Sequence, residues 1–278
     1  MFSNVAASAG VFKRRVERPV RRLSGSLILA VIAVALLYPL IDALVGSFLQ
    51  SGTSRPTLSY WSQLWSTLPI ARDMGVSAGL SITVVVLVLA LAVPCGYALA
   101  KLRFKGAGIA TLALVGCMMI PIESILIPEY INFVKIGMVG TIEAPVLVYV
   151  GMGCPFAIFM MASYFRNLPD SIIESALVDG AGQLRAMVRI VLPLAKPALA
   201  IVAVLQFLNV WNDLLIALLF LPQQVRTIGV GLATLGGLHA ANTQVLVAGS
   251  VFSAIPPMLV YLLFQRHLIS GLTVGAEK

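Results

Sequence analysis

Residues 165–197 read FRNLPDSIIESALVDGAGQLRAMVRIVLPLAKP, and their pattern decides how the rest of the chain is organised. They separate two strongly apolar runs, yet they far exceed the roughly 2–8 residues that usually join helices in a bundle. The segment is not a polar linker. Pro169 and Asp170 lead into Ser171-Ile172-Ile173-Glu174, which has the spacing of a capping box. Ile172, Ile173, Ala176 and Leu177 then share one helical face. Gly180 and Gly182 interrupt the period. A second amphipathic stretch follows, with Leu184, Met187, Val188 and Val191 on one side and Arg185 and Arg189 on the other. Pro193 is expected to end it, because proline disfavours helix at the preceding Leu192. The segment therefore encodes two short helices joined by a glycine turn. Such a knob, fixed to a bundle, can pass motion from a soluble partner to membrane helices.

Working outward, six apolar runs are long enough to cross a bilayer, which takes about 20 residues. They cover approximately residues 25–48, 77–100, 108–127, 141–164, 198–221 and 244–264. Of the 278 residues 59% are hydrophobic and 11% charged, with mean hydropathy +0.98. A soluble domain carries about 25% charged residues, so lipid must be the solvent for most of this chain. Prolines at 39, 94, 121, 145, 155, 256 and 257 punctuate the runs. A membrane bundle tolerates them, because neighbours and local backbone adjustment satisfy the freed groups. The runs lack strand alternation, so helices are expected and a barrel is not. The first run is too long for the apolar region of a signal peptide and ends without a small-x-small cleavage site. The expected fold is all-α: a polytopic membrane protein of six spans carrying a two-helix loop. Residues 1–24 form a basic N-terminal segment, 25–264 the transmembrane domain with the loop at 165–197, and 265–278 a tail.

The net charge of +8 does not point to nucleic acid, because the cations sit between the apolar runs. Fifteen of the 19 Lys and Arg lie in the N-terminal segment, around 101–105, in the 166–196 loop and in the tail. Arg55, Arg72, Lys135 and Arg226 are the rest. With an even number of spans, this split places both termini and the knob in the cytoplasm. Tyr60, Trp61 and Trp65 then stand at the outer membrane edge, as an aromatic belt or a docking surface. Cys95, Cys117 and Cys154 lack metal or redox spacing and read as small core hydrophobes. His239 and His267 are far apart, so no metal site is expected. There is no GxxxxGK[ST] loop, so the chain is not expected to bind ATP alone. No catalytic set is visible. Asp42, Glu123 and Asp213 lie within or near spans, where charges are costly and face the bundle interior or water.

The run Glu174-Ser175-Ala176-Leu177-Val178-Asp179-Gly180-Ala181, followed by Ile190-Val191-Leu192-Pro193, resembles the EAA loop of ABC importer permeases. It departs at Ser175, where that pattern usually has Ala; serine is also small, so the packing is expected to survive. The resemblance extends over nearly the whole chain. Gly96-Tyr97-Ala98-Leu99-Ala100 with Phe104-Lys105-Gly106 is similar to the family's second helix and its cytoplasmic end. Pro121, Ile127-Pro128 and Tyr130 are similar to the third, and Phe207 with Trp211-Asn212 to the fifth. Gln265-Arg266, Gly271-Leu272-Thr273 and Gly275 resemble the tail of the maltose-type sugar permeases.

The resemblance implies a type I importer permease fold in a bacterial or archaeal plasma membrane. The implied partners are a second, similar permease, two ATPase subunits that hold ATP and Mg, an extracytoplasmic solute-binding protein, membrane lipid, and a sugar or related polyol or glycerol-phosphate substrate. It implies no cofactor on this chain. Glu174, Ser175, Ala176, Asp179, Gly180, Ala181 and Gly182 would couple to the ATPase, and Gly271, Leu272, Thr273 and Gly275 would touch it. Asn209, Trp211, Asn212, Asp213 and Glu123 are the candidates for a polar substrate path. Two other classes compete. A secondary transporter needs ion-coupling groups on broken helices and often an inverted repeat, and no inverted repeat is detectable. A membrane-embedded enzyme needs a convergent catalytic set, which is missing.

Overall fold

The computed structural model describes residues 26–273 apart from 28, 51, 54, 103 and 239–242. Side-chain surroundings are described up to residue 266, residue 238 excepted. Among the described residues every regular element is a helix. The elements are α1 (Leu29–Gly46), α2 (Ser59–Thr67), α3 (Ile70–Lys101), α4 (Ala107–Met118), α5 (Ile122–Lys135) and α6 (Glu143–Arg166). They continue with α7 (Asp170–Val178), α8 (Gln183–Ala186), a π turn (Met187–Val191), α9 (Leu192–Leu194) and α10 (Lys196–Asn212). Then follow α11 (Leu215–Phe220), α12 (Ile228–Leu238) and α13 (Thr243–Thr273). Proline lies inside four of them, at Pro94, Pro128, Pro155 and Pro256–Pro257.

Four helices are single unbroken spans: α1, α3, α6 and α13 through Arg266. The third expected run is not one straight helix. It breaks between Met118 and Ile122, and α5 leaves α4 at 96°. Pro121 lies at the corner in extended backbone, with no N–H to continue the α4 ladder. The fifth expected run is also broken. It starts at a 77° corner where the Gln183–Leu194 rod meets α10, and it ends at Asn212 before the separate α11. Counting each bent pair as one span gives six.

The core is built on α3, α6 and α10. Val84, Val88, Ala157, Met161 and Val202 are fully buried there. Gly96 sets how closely α3 and α6 approach. A Cβ there would lie 2.8 Å from the Met161 Cβ and 3.0 Å from the Ala162 backbone nitrogen. Between α6 and α10, Gly153 leaves room for Gln206, whose Nε2 donates to the Gly153 carbonyl at 3.4 Å. Of the three free cysteines, half-buried Cys154 packs against this core, whereas Cys95 and Cys117 are exposed. Cys95 and Cys117 lie on open surfaces of the single chain.

At the end of the bundle away from the knob, α11 and α12 are tied to earlier helices by polar contacts. Asp213 caps α11, its Oδ1 accepting from the Ile216 amide at 2.9 Å and from the Tyr149 hydroxyl of α6 at 2.7 Å. The Arg226 Nε donates to Asp73 of α3 at 3.0 Å, and the Ile228 amide donates to Ser77 at 2.9 Å. Phe220 is fully buried and edge-on to Tyr130 and Phe133 of α5.

Candidate functional site: a two-helix knob on the bundle

The knob is anchored at its root by α3. The Lys101 Nζ donates to Asp170 at 2.6 Å and to the Leu168 carbonyl at 2.6 Å. Lys101 is 6% exposed and Asp170 70%, so the lysine is the fixed partner. The Tyr97 hydroxyl donates to the Gln183 side chain at 2.8 Å, and its ring meets Phe165 edge-on. Three hydrogen bonds therefore tie both knob helices to the end of one long span.

The turn at the tip explains the Ala-Gly-Ala spacing. The Ala181 amide bonds the Ala176 carbonyl at 2.9 Å, and the Gly180 amide bonds the Leu177 carbonyl at 3.1 Å. With Gly180 at φ +83° this is a Schellman cap, which requires a left-handed residue at that position. Ala176 is buried and Ala181 packs partly on the same core, the apolar contact that accompanies such a cap. Glu174, Ser175, Asp179 and Gly182 all face outward. A shallow concavity lies over Ser171, Glu174, Ser175, Val178 and Asp179.

Three local expectations are corrected. No capping box forms. The helix begins at Asp170 after Pro169, no side chain caps it, and the Ser175 hydroxyl donates back to the Ser171 carbonyl instead. Pro193 does not end the second helix. The π turn ahead of it shifts the hydrogen-bond register, so the rod runs through Pro193 to Leu194 and stops at Ala195, one residue before α10. The apolar face of the second helix is also rotated. Ala186, Met187 and Val191 are buried, whereas Leu184 is 71% exposed and Val188 is exposed too. Val178, at the tip, is 88% exposed. Exposed large apolar residues on a polar, rigid tip suit a protein partner better than water.

The candidate path residues do not converge. Asn209 and Asn212 are exposed on α10, and Glu123 is exposed in the first turn of α5. Trp211 is buried, stacked on Phe207, and its Nε1 donates to the Ser253 carbonyl of α13 at 3.1 Å. Asp213 is occupied as a cap. Of the tail residues, Gly271, Leu272 and Thr273 continue α13 as helix, and Gly275 lies outside the described residues, as do residues 1–24. Sequence reasoning missed Asp73, Arg226 and Tyr149, whose partners are up to 153 residues away. Among the described residues no group of three or more His, Cys, Asp and Glu is placed to hold a metal.

A bundle of apolar spans with a partly apolar two-helix knob at one end defines a polytopic membrane protein with a surface suited to a protein partner. Residues 92–274 match the family described as binding-protein-dependent transport system inner membrane component, and the chain belongs to that family of ABC importer permeases. In this family ATP hydrolysis resides in separate subunits. The chain is 37% identical over 205 residues to an arabinooligosaccharides transport system permease protein of Halalkalibacterium halodurans, covering 73% of each chain. It is 31% identical to a trehalose/maltose transport system permease protein of Thermococcus litoralis, over 96% of this chain and 99% of the other. A bacterial ABC transporter involved in import of the acidic polysaccharide alginate has a chain of the same fold, with TM-score 0.77 at 23% identity, covering 90% of this chain and 97% of that one.

Proposed function

We propose that this permease moves a carbohydrate, in particular a sugar, oligosaccharide or related polyol, across a plasma membrane whose cytoplasmic side holds the knob and both termini. A second permease completes the path, two ATPase subunits supply ATP and Mg chemistry, and an extracytoplasmic binding protein delivers the substrate. The knob carries the coupling. Its Schellman-capped tip, with Val178 and Leu184 exposed, enters a cleft of the ATPase, and Lys101 and Tyr97 pass the displacement to α3. A motion without differential contact to the two states would shift nothing, and the exposed tip is where that contact is available. The carbohydrate class rests on relatives that are arabinooligosaccharide and trehalose/maltose permeases. The tail after Arg266 reaches the ATPase pair as well.

The test is uptake into proteoliposomes holding the complete transporter. Radiolabelled arabinooligosaccharides, maltose and trehalose are supplied with the cognate binding protein and ATP inside. ATP-dependent uptake of one of them is expected. ATP-dependent uptake of an amino acid or metal with no carbohydrate transported would overturn the substrate class.

A further inference from the structure

Pro256 and Pro257 stand near the middle of the span Thr243–Arg266, inside a helix that stays regular to Thr273. Neither has an N–H, so the carbonyls four residues earlier, on Phe252 and Ser253, lose their helical donors. In lipid a freed carbonyl is costly, and a neighbouring helix or side chain has to supply the replacement. For Ser253 that replacement is on α10. The Trp211 Nε1 donates to the Ser253 carbonyl at 3.1 Å, so an indole takes the place of the missing Pro257 amide. Trp211 is buried, and its ring stacks on Phe207 at 5.4 Å, which holds the indole in this orientation.

The two halves of α13 are held differently. Before the prolines, Val245 and Ala248 are buried, and a Cβ on Gly249 would run into the Leu232 side chain of α12. After them, Met258, Leu259, Tyr261, Leu262 and Leu263 are 50–70% exposed, with Val260 in partial contact with the cluster that holds Trp211. The first half is thus part of the core. The second half, which runs on past Arg266, joins it through a stretch that lacks two ladder bonds, the kind of place where long helices bend. Trp211 also stands two residues before Asp213, which caps α11 and accepts from Tyr149 of α6. One corner of the chain therefore grips α6, α11 and the proline joint of α13.

We infer that Trp211 is a positioning residue for transport: its indole N–H closes the gap that Pro257 leaves in α13 and sets the angle of the second half of that helix, while Pro257 keeps the joint free to bend as the transporter changes state. Only the use of the joint in transport rests on the function proposed above.

The test is a double-mutant cycle in the complete transporter. Trp211→Phe removes the N–H and keeps a ring against Phe207, and Pro257→Ala restores the amide that serves Ser253. Two quantities are read in each single variant and in the double variant: the midpoint for heat precipitation of the fluorescently tagged permease, and ATP-dependent uptake of the substrate that the unaltered complex carries. Trp211→Phe should lower the midpoint by about 2–5 °C, the loss of one hydrogen bond. In the Pro257→Ala background it should lower it far less, because the helix then supplies its own donor. Pro257→Ala alone should give a complex at least as stable as the unaltered one but about fivefold slower in uptake, since one more hydrogen bond must break for the joint to bend. A purely structural role would not produce a stable, slower transporter. Should Trp211→Phe alone fail to assemble, assembly restored by Pro257→Ala is the expected result, and failure in both backgrounds the contrary one. Equal losses of midpoint in both backgrounds would assign the effect to the ring and overturn the clamp. Unchanged uptake in Pro257→Ala would overturn the joint. The midpoint cycle needs no substrate, so it decides the clamp even if the carbohydrate assignment fails.

Discussion

Gly180→Val isolates the knob from the rest of the fold. Gly180 sits at φ +83° and a Cβ built there meets nothing within 4 Å. The substitution therefore creates no clash inside the chain, and its cost is backbone strain alone. A left-handed conformation costs an ordinary L-residue roughly 1–2 kcal/mol, and a β-branched side chain belongs at the upper end. That changes the ratio of closed to opened turn by about 5–30-fold. The apolar runs that drive insertion are untouched, so expression and assembly should persist. The turn that presents Val178 is instead weakened, and a branched side chain projects from the surface proposed to meet the ATPase. The assay is ATPase stimulation by loaded binding protein, together with uptake, in purified complexes. Gly140→Val is the control: Gly140 has the same φ of +83° and the same open surroundings, but it lies beside α11, whose Phe220 carbonyl its amide bonds. Gly180→Val should lose uptake and uncouple it from hydrolysis, and Gly140→Val should not. Full stimulation and normal uptake in Gly180→Val would refute the coupling role of the turn.

Gly96→Leu should separate α3 from α6, because even the Cβ meets Met161 and the Ala162 backbone; overpacking of this kind costs about 1–3 kcal/mol, read as a lower Tm in detergent. Arg226→Met leaves Asp73, 2% exposed, without its partner. Breaking a buried pair costs about 3–5 kcal/mol, and the lower end applies here because Arg226 is 31% exposed; the double variant with Asp73→Asn should recover most of the lost monodisperse yield. Single cysteines at Ser3 and Thr57 in intact cells should react with an impermeant maleimide only at position 57, and labelling at position 3 would invert the orientation.

Much of this fold is legible in the sequence because its signals are local. Hydropathy alone marks α3, α6 and α13, and a glycine four residues after an alanine marks the capped turn between Ala176 and Ala181. The corner at Met119–Pro121 was not legible, since an apolar run with a proline looks the same whether it kinks slightly or turns through 96°. Pro193 misleads for a related reason. A proline ends a helix only if the preceding turn cannot change its hydrogen-bond register, and the π turn at Met187–Val191 does so. Leu184 and Val188 are exposed against the helical pattern, while Ala186, Met187 and Val191 take the buried side, and the proposed docking of the knob would account for the open face. Asp73 with Arg226, and Tyr149 with Asp213, are tertiary pairs that no periodicity reports. The candidate path residues stand out in the sequence as polar groups within apolar runs, and polarity alone does not distinguish a cap such as Asp213 from an open group such as Asn209.

The central claim is that the tip of this knob docks into the ATPase and moves with it. The most direct measurement places a cysteine at Val178 in the otherwise cysteine-free complex and follows disulfide-exchange crosslinking to single cysteines around the ATPase cleft, with and without ATP. Val178→Cys should form an adduct with the ATPase in both states, with the preferred partner position changing on ATP binding. A tip cysteine that reaches no ATPase position in an actively transporting complex, and that stays open to soluble maleimide throughout, would contradict the account.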